Sequence, residues 1–200
     1  MSLIPPGAFP DELFAMRTRE DLLGGIERMQ GDTTAFFQGM EPAAYFARPA
    51  TGWSPEQNLG HLIKSIRPVR LALYLPRFTY VIFGRGTPTD GPRDVIEKYL
   101  GVLGQGYRAG LPYRPGGGHS TRDDVAQPSP TALRAWDRQL RVYADYCDGL
   151  RESLTSWNEA DLDRYRMPHP ATGMISAREM LYFTVFHPYH HMARIRARRE

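Results

Sequence analysis

Apolar residues recur at three- and four-residue steps in four stretches of the chain, and each stretch predicts a helix with one buried face. In the first, about Arg19 to Met40, the rhythm is carried by Leu22, Leu23, Ile26, Met29, Thr33, Phe36, Phe37 and Met40. Gly24, Gly25 and Gly31 weaken it, so tertiary packing has to hold it. The second opens with Ser54 as N-cap, Pro55 at the first helical position and Gln57 as the third, close to a capping box. It continues through Leu59, Leu62, Ile63 and Ile66, meets Pro68, and is expected to resume toward Leu75. The third is the most regular. Leu133, Trp136, Leu140, Tyr143, Cys147, Leu150, Leu154 and Trp157 alternate steps of three and four, a seam for antiparallel helix packing. The fourth follows Ser176, an N-cap with Glu179 three residues on, and runs through Leu181, Thr184, His187, His191 and Ile195.

Between the second and third helices the composition changes. Residues 84 to 130 hold 10 of the 19 glycines and 6 of the 17 prolines. They predict an excursion over one end of a bundle, interrupted by a short helix from about Arg93 to Leu103 and more mobile than the helices, most of all around Gly116 to His119. There is no internal repeat, and no strand-like alternation long enough to build a sheet. The predicted fold class is all-α: one four-helix bundle domain over residues 1–200, with a Gly/Pro-rich insertion at 84–130 between helices two and three.

Charge and composition then remove classes of function. Hydrophobic content of 42% and charged content of 24% are those of an ordinary soluble domain. No apolar run approaches the ~20 residues that cross a bilayer, and no basic region precedes an apolar stretch at the N-terminus, so no signal peptide is visible. The expected location is the cytoplasm, with no membrane partner. A net charge of +3 is too mild to argue for nucleic acid. The arginines at 194, 196, 198 and 199 read first as cations complementing a helix C-terminus. Cys147 is the single cysteine, which excludes an internal disulfide.

The candidate chemistry lies in the histidines. Three of the six fall between positions 187 and 191. His187 and His191, four apart, share a helix face and suit one transition metal; His187 and His190, three apart, are the competing pair. A third ligand has to come from elsewhere, and His61 is the best candidate. It sits on a small, polar face of the second helix with Ser54, Asn58, Ser65 and Ala72, leaving room for a metal and a substrate. The plainer reading of His61, as an ordinary half-buried histidine, stays open. Pro188 crowds the carbonyl of Thr184 and predicts a kink beside the ligands. Arg194 or Arg67 is placed to hold an anionic substrate at the mouth, against the alternative of a solvated surface residue. His119 is either a fourth ligand from the insertion or an exposed loop histidine. Glu56 and Glu179 read as helix-start residues, which leaves no dedicated general base.

These segments also resemble a known family. Trp53-Ser54-Pro55-Glu56 followed by Gly60-His61-Leu62 is similar to the second-helix signature of the DinB/YfiT-like superfamily. His187-Pro188-Tyr189-His190-His191-Met192-Ala193-Arg194-Ile195 resembles its last-helix motif, and Pro168-His169-Pro170-Ala171-Thr172-Gly173-Met174-Ile175-Ser176 the approach to that helix. The chain departs from the pattern at Pro188, in the long insertion, and at Arg194, where many relatives have glutamine. The resemblance implies an up-down-down-up bundle with an open-sided metal site whose ligands fall on His61, His187 and His191. Relatives include thiol S-transferases that use bacillithiol or mycothiol and a mycothiol-dependent maleylpyruvate isomerase. Nitrogen ligands suit a divalent ion, zinc or nickel foremost. Three functions follow as alternatives: metal-dependent transfer of a small thiol to an electrophile, metal-dependent hydrolysis, and a non-enzymatic bundle that binds metal or a partner. The expected partners are a small-molecule substrate and, as an assembly, a second copy of the chain.

Overall fold

Each of the four periodic stretches folds as a long helix, and the capping signals at their starts are satisfied. A computed structural model describes residues 4, 7–86, 89–116, 119 and 128–198. The long helices are α1 (Arg19–Gln38), α3 (Pro55–Tyr74), α5 (Pro130–Thr155) and α7 (Ala177–Arg196). Short helices α2 (Pro42–Phe46), α4 (Pro92–Gly104) and α6 (Glu159–Arg164) lie between them, with 3-10 turns at Asp11–Ala15, Arg77–Phe83 and Leu111–Tyr113. Ser54 with Gln57 and Ser176 with Glu179 form reciprocal capping boxes, so α3 and α7, which carry the histidines, start at defined residues. No helix among the described residues is long and apolar enough to cross a membrane.

Side-chain contacts give the helix directions. Gln30 reaches the Ala144 carbonyl and Arg19 the Thr155 carbonyl, so α1 and α5 run antiparallel. Gly60 lies beside Gln139 and the Leu73 carbonyl beside Trp157, so α3 and α5 run parallel. Asn58 meets His191 and His61 meets His187, so α3 and α7 are antiparallel. The bundle is therefore up-down-down-up, with α5 and α7 each packed against α1 and α3. Leu22, Ile26, Met29, Leu59, Leu73, Cys147, Leu150, Leu154 and Phe186 are wholly buried between the helices. Burial of this apolar surface is the main force holding the bundle together.

The structure differs from the sequence reading in several places. Helix α3 runs on through Pro68 without the expected interruption, and α7 likewise stays one helix through Pro188. Packing on both flanks outweighs the one missing backbone bond. Helix α5 stops at Thr155, and Trp157, the last residue of the predicted seam, stands just past its end while remaining fully buried. A small sheet does form: β1 (Arg166–His169) pairs antiparallel with β2 (Gly173–Ser176). Four-residue strands, one holding Pro168, are too short to show a period of two. Gly173 closes their turn at φ +81°, a conformation that favours glycine. Within the insertion, α4 packs on α7 and the 3-10 turn at Leu111–Tyr113 packs on α3. Of the segment expected to be most flexible, Gly117 and Gly118 lie outside the described residues, as do residues 120–127.

Candidate metal centre

Helix periodicity puts His187 and His191 one turn apart on α7, and both rings are buried against α3. There they meet His61. The Nε2 of His187 stands 3.2 Å from the Nε2 of His61 and 3.0 Å from the Nε2 of His191. Three nitrogens about 2.0–2.1 Å from one zinc at tetrahedral angles stand about 3.3 Å apart, so this spacing fits a shared ion. The three are the one group of metal-type ligands found among the described residues. His190 is outside it, with its ring centroid 5.9 Å from that of Tyr99.

The other ring nitrogens fix which atom faces the centre. His61 Nδ1 lies 2.7 Å from the carbonyl oxygen of Tyr113, which can only accept, so Nδ1 carries the proton and Nε2 presents its lone pair. His191 Nδ1 lies 2.7 Å from Asn58 Oδ1 and takes the same tautomer. Asn58 is itself pinned, donating to the carbonyls of Trp53 at 3.0 Å and Ser54 at 2.8 Å. His187 is held by its stack on Phe183, with ring centroids 4.8 Å apart. Trp53 lies parallel to His191, their planes 2° apart. Burial holds the imidazoles of His61, His187 and His191 below the ordinary histidine range, with mutual repulsion adding to the effect at the last two. Neutral imidazole is the form that binds a metal.

The trio opens into a cavity of about 1300 Å³. Its walls include the small polar face read from the second helix (Asn58, Ser65 and Ala72) together with Arg194. Arg67 is exposed and stands outside the cavity, because it falls on another face of α3. His119 does not join the trio. Its backbone N–H donates to both oxygens of buried Glu56, and its ring Nδ1 lies 2.9 Å from Glu56 Oε1. Glu56 thus does more than start a helix: it anchors the insertion. Gln57 and Lys64 add hydrogen bonds to the carbonyls of Gly116 and Arg114.

Sequence reasoning missed Asn58 as an anchor and His169 as a cavity residue. Asn58 was legible in principle, since it sits three residues before His61 on the same face. His169 was hidden in a hairpin that shows no periodicity. Its Nδ1 faces three donors, the N–H groups of Ala171 and Thr172 and the Thr172 hydroxyl, so its proton is on Nε2. Burial pushes its pKa down to about 4. Because the unfolded value is near 6.5, the unfolded chain binds this proton first as pH falls. Metal-free protein should therefore lose stability from about pH 6.5 down to about pH 4, by about 3 kcal/mol from this residue alone. Thermal unfolding across that range checks it: His169→Gln should make the profile shallower by its share, the other buried histidines supplying the rest, and an unchanged profile in that variant would remove His169 as a cause.

The sequence model of the DinB superfamily matches residues 26–195. No curated protein and no solved structure matches the chain.

Proposed function

This chain belongs to the DinB superfamily, and on that premise we propose that it is a metal-dependent enzyme that transfers a low-molecular-weight thiol to an electrophilic small molecule. His61, His187 and His191 would hold the ion, zinc or nickel by ligand type. When bound, such an ion supplies Lewis acidity, which lowers the pKa of a thiol or water placed beside it. One observation carries the choice between those two nucleophiles: no aspartate or glutamate lines the cavity among the described residues, and the two histidines there beside the trio, His169 and His190, are pushed by burial down to a pKa of about 4, which makes them weak bases. Water needs a base to give up its proton far more than a thiol does, since free thiols already ionise near pKa 8.5.

The thiol has to come from outside. Cys147 is buried in the bundle core away from the cavity, and burial pushes its pKa up to about 12. The chain's own residues then bind and orient. His169, which lines the cavity and carries its proton on Nε2, would offer a hydrogen bond there. Arg194 offers a guanidinium to an anionic group. In the transfer a sulfur–carbon bond forms as the bond to the leaving group breaks, and the thiol proton is released. A cytoplasmic site of action fits, because small thiols stay reduced there.

Cobalt-loaded protein tests the reading. Bacillithiol or mycothiol should change its visible spectrum, and conjugation to 1-chloro-2,4-dinitrobenzene, with release of chloride, should require the metal. The triple variant His61→Ala/His187→Ala/His191→Ala should fold and do neither. Ester cleavage without any thiol response would hand the site to hydrolysis.

A further inference from the structure

The cavity above the histidines carries charge of one sign. Arg108, Arg114, Arg194 and Arg198 line it, with no acidic residue among the described ones. None of the four forms an ion pair among the described residues. Arg194 lies in the last turn of α7, and Arg198 follows four residues on, just past its end. The Arg198 guanidinium lies over Gly52, where an added Cβ would collide with it, and donates to the Trp53 carbonyl at 3.3 Å. Their like charges repel, and an anion placed between them would be attracted by both.

The other end of the cavity is apolar. Leu71 and Ile82 line it while remaining 61% and 81% exposed, and Leu75 and Phe83 stand with them. Because α3 and α7 are antiparallel, the arginine end lies beside the start of α3 and the apolar end beside its finish, with the histidines between. The volume of about 1300 Å³ exceeds the ~300–1,000 Å³ of a site for one drug-sized ligand, which leaves room for a thiol beside a second molecule.

We propose that this cavity takes a long-chain organic carboxylate, its carboxylate held between Arg194 and Arg198 and its hydrocarbon chain running past the histidines to Leu71, Leu75 and Ile82, a run of about 20 Å or more along α3. The inference rests on the reading above only in taking this cavity as the working one. It assigns the class of the electrophile: an apolar acid rather than a neutral or cationic compound.

Calorimetric titration with cyclodextrin-delivered hexadecanoate and 1-hexadecanol, whose chains are about 20 Å long, tests it, with metal content measured on the same samples. The acid should bind at least about tenfold more tightly than the alcohol, the scale of one charge-assisted contact. Added salt should shrink that preference. Arg194→Gln/Arg198→Gln should abolish the preference, keep alcohol binding, and leave metal content unchanged. Leu71→Ser/Ile82→Ser should weaken both ligands alike. Equal binding of acid and alcohol to the unaltered protein would overturn the proposal, as would a preference that survives in the double arginine variant. A preference lost instead in the triple histidine variant would place the carboxylate at the metal and equally overturn it. A preference seen in protein that never binds metal would sink the metal-enzyme reading and leave this one standing.

Discussion

Purified without a histidine tag, the protein will carry about one divalent ion per chain at neutral pH, and His61→Ala and His191→Ala will carry almost none. Each substitution removes one of three nitrogens whose spacing, 3.0 Å and 3.2 Å about His187 Nε2, leaves no spare ligand among the described residues. His190→Ala should keep the ion, because that ring faces Tyr99 instead. Asn58→Ala should lower affinity by about 10–100-fold, the usual cost of losing a partner that orients a ligand. Elemental analysis of the four variants decides the matter: full metal content in both His61→Ala and His191→Ala would end the assignment.

The largest loss of stability is expected from Trp157→Ala. The indole is wholly buried, donates to the Leu73 carbonyl at 2.9 Å, and lies under the Arg77 guanidinium at 3.9 Å. Removing it leaves a cavity and an orphaned carbonyl where α3, α5 and the hairpin meet, a change worth about 3–5 kcal/mol. Trp157→Phe keeps most of the ring but not the donor, and should cost about 1–3 kcal/mol. Urea unfolding of both variants checks the order, and a loss below about 1 kcal/mol for the alanine variant would mean that this corner of the bundle is not packed as described.

Trp157 also shows what the sequence could and could not reveal. The seam from Leu133 to Trp157 identified a buried stripe correctly, because burial follows the three- and four-residue rhythm whether or not the backbone is still helical at its end. The same rhythm located α1, α3 and α7, and the capping residues Ser54 and Ser176 located two starts to the residue. His61, His187 and His191 were legible because helix geometry turns a spacing of four into a shared face, and because a polar stripe of small residues is unusual on a packed helix. Pro68 misled as a stop, since local propensity says nothing of the packing that overrides it. The hairpin and His169 were silent, because four-residue strands have too few positions to show a pattern. The seating of the insertion on α3 was silent for a different reason: it runs largely through backbone atoms, which every residue has.

That last point gives the Tyr113 carbonyl a consequence of its own. It accepts from the imidazole that presents His61 to the centre, so the folding of the insertion and the occupancy of the centre are thermodynamically linked. Whatever affinity the ordered insertion adds for the ion, the ion returns to the ordering of the insertion by the same factor. Selection on metal binding then reaches a stretch far from any ligand in sequence, but it acts on the path of the chain, not on the identity of a side chain. Through this contact a substitution in residues 107–116 reaches the centre only as far as it moves the backbone at Tyr113.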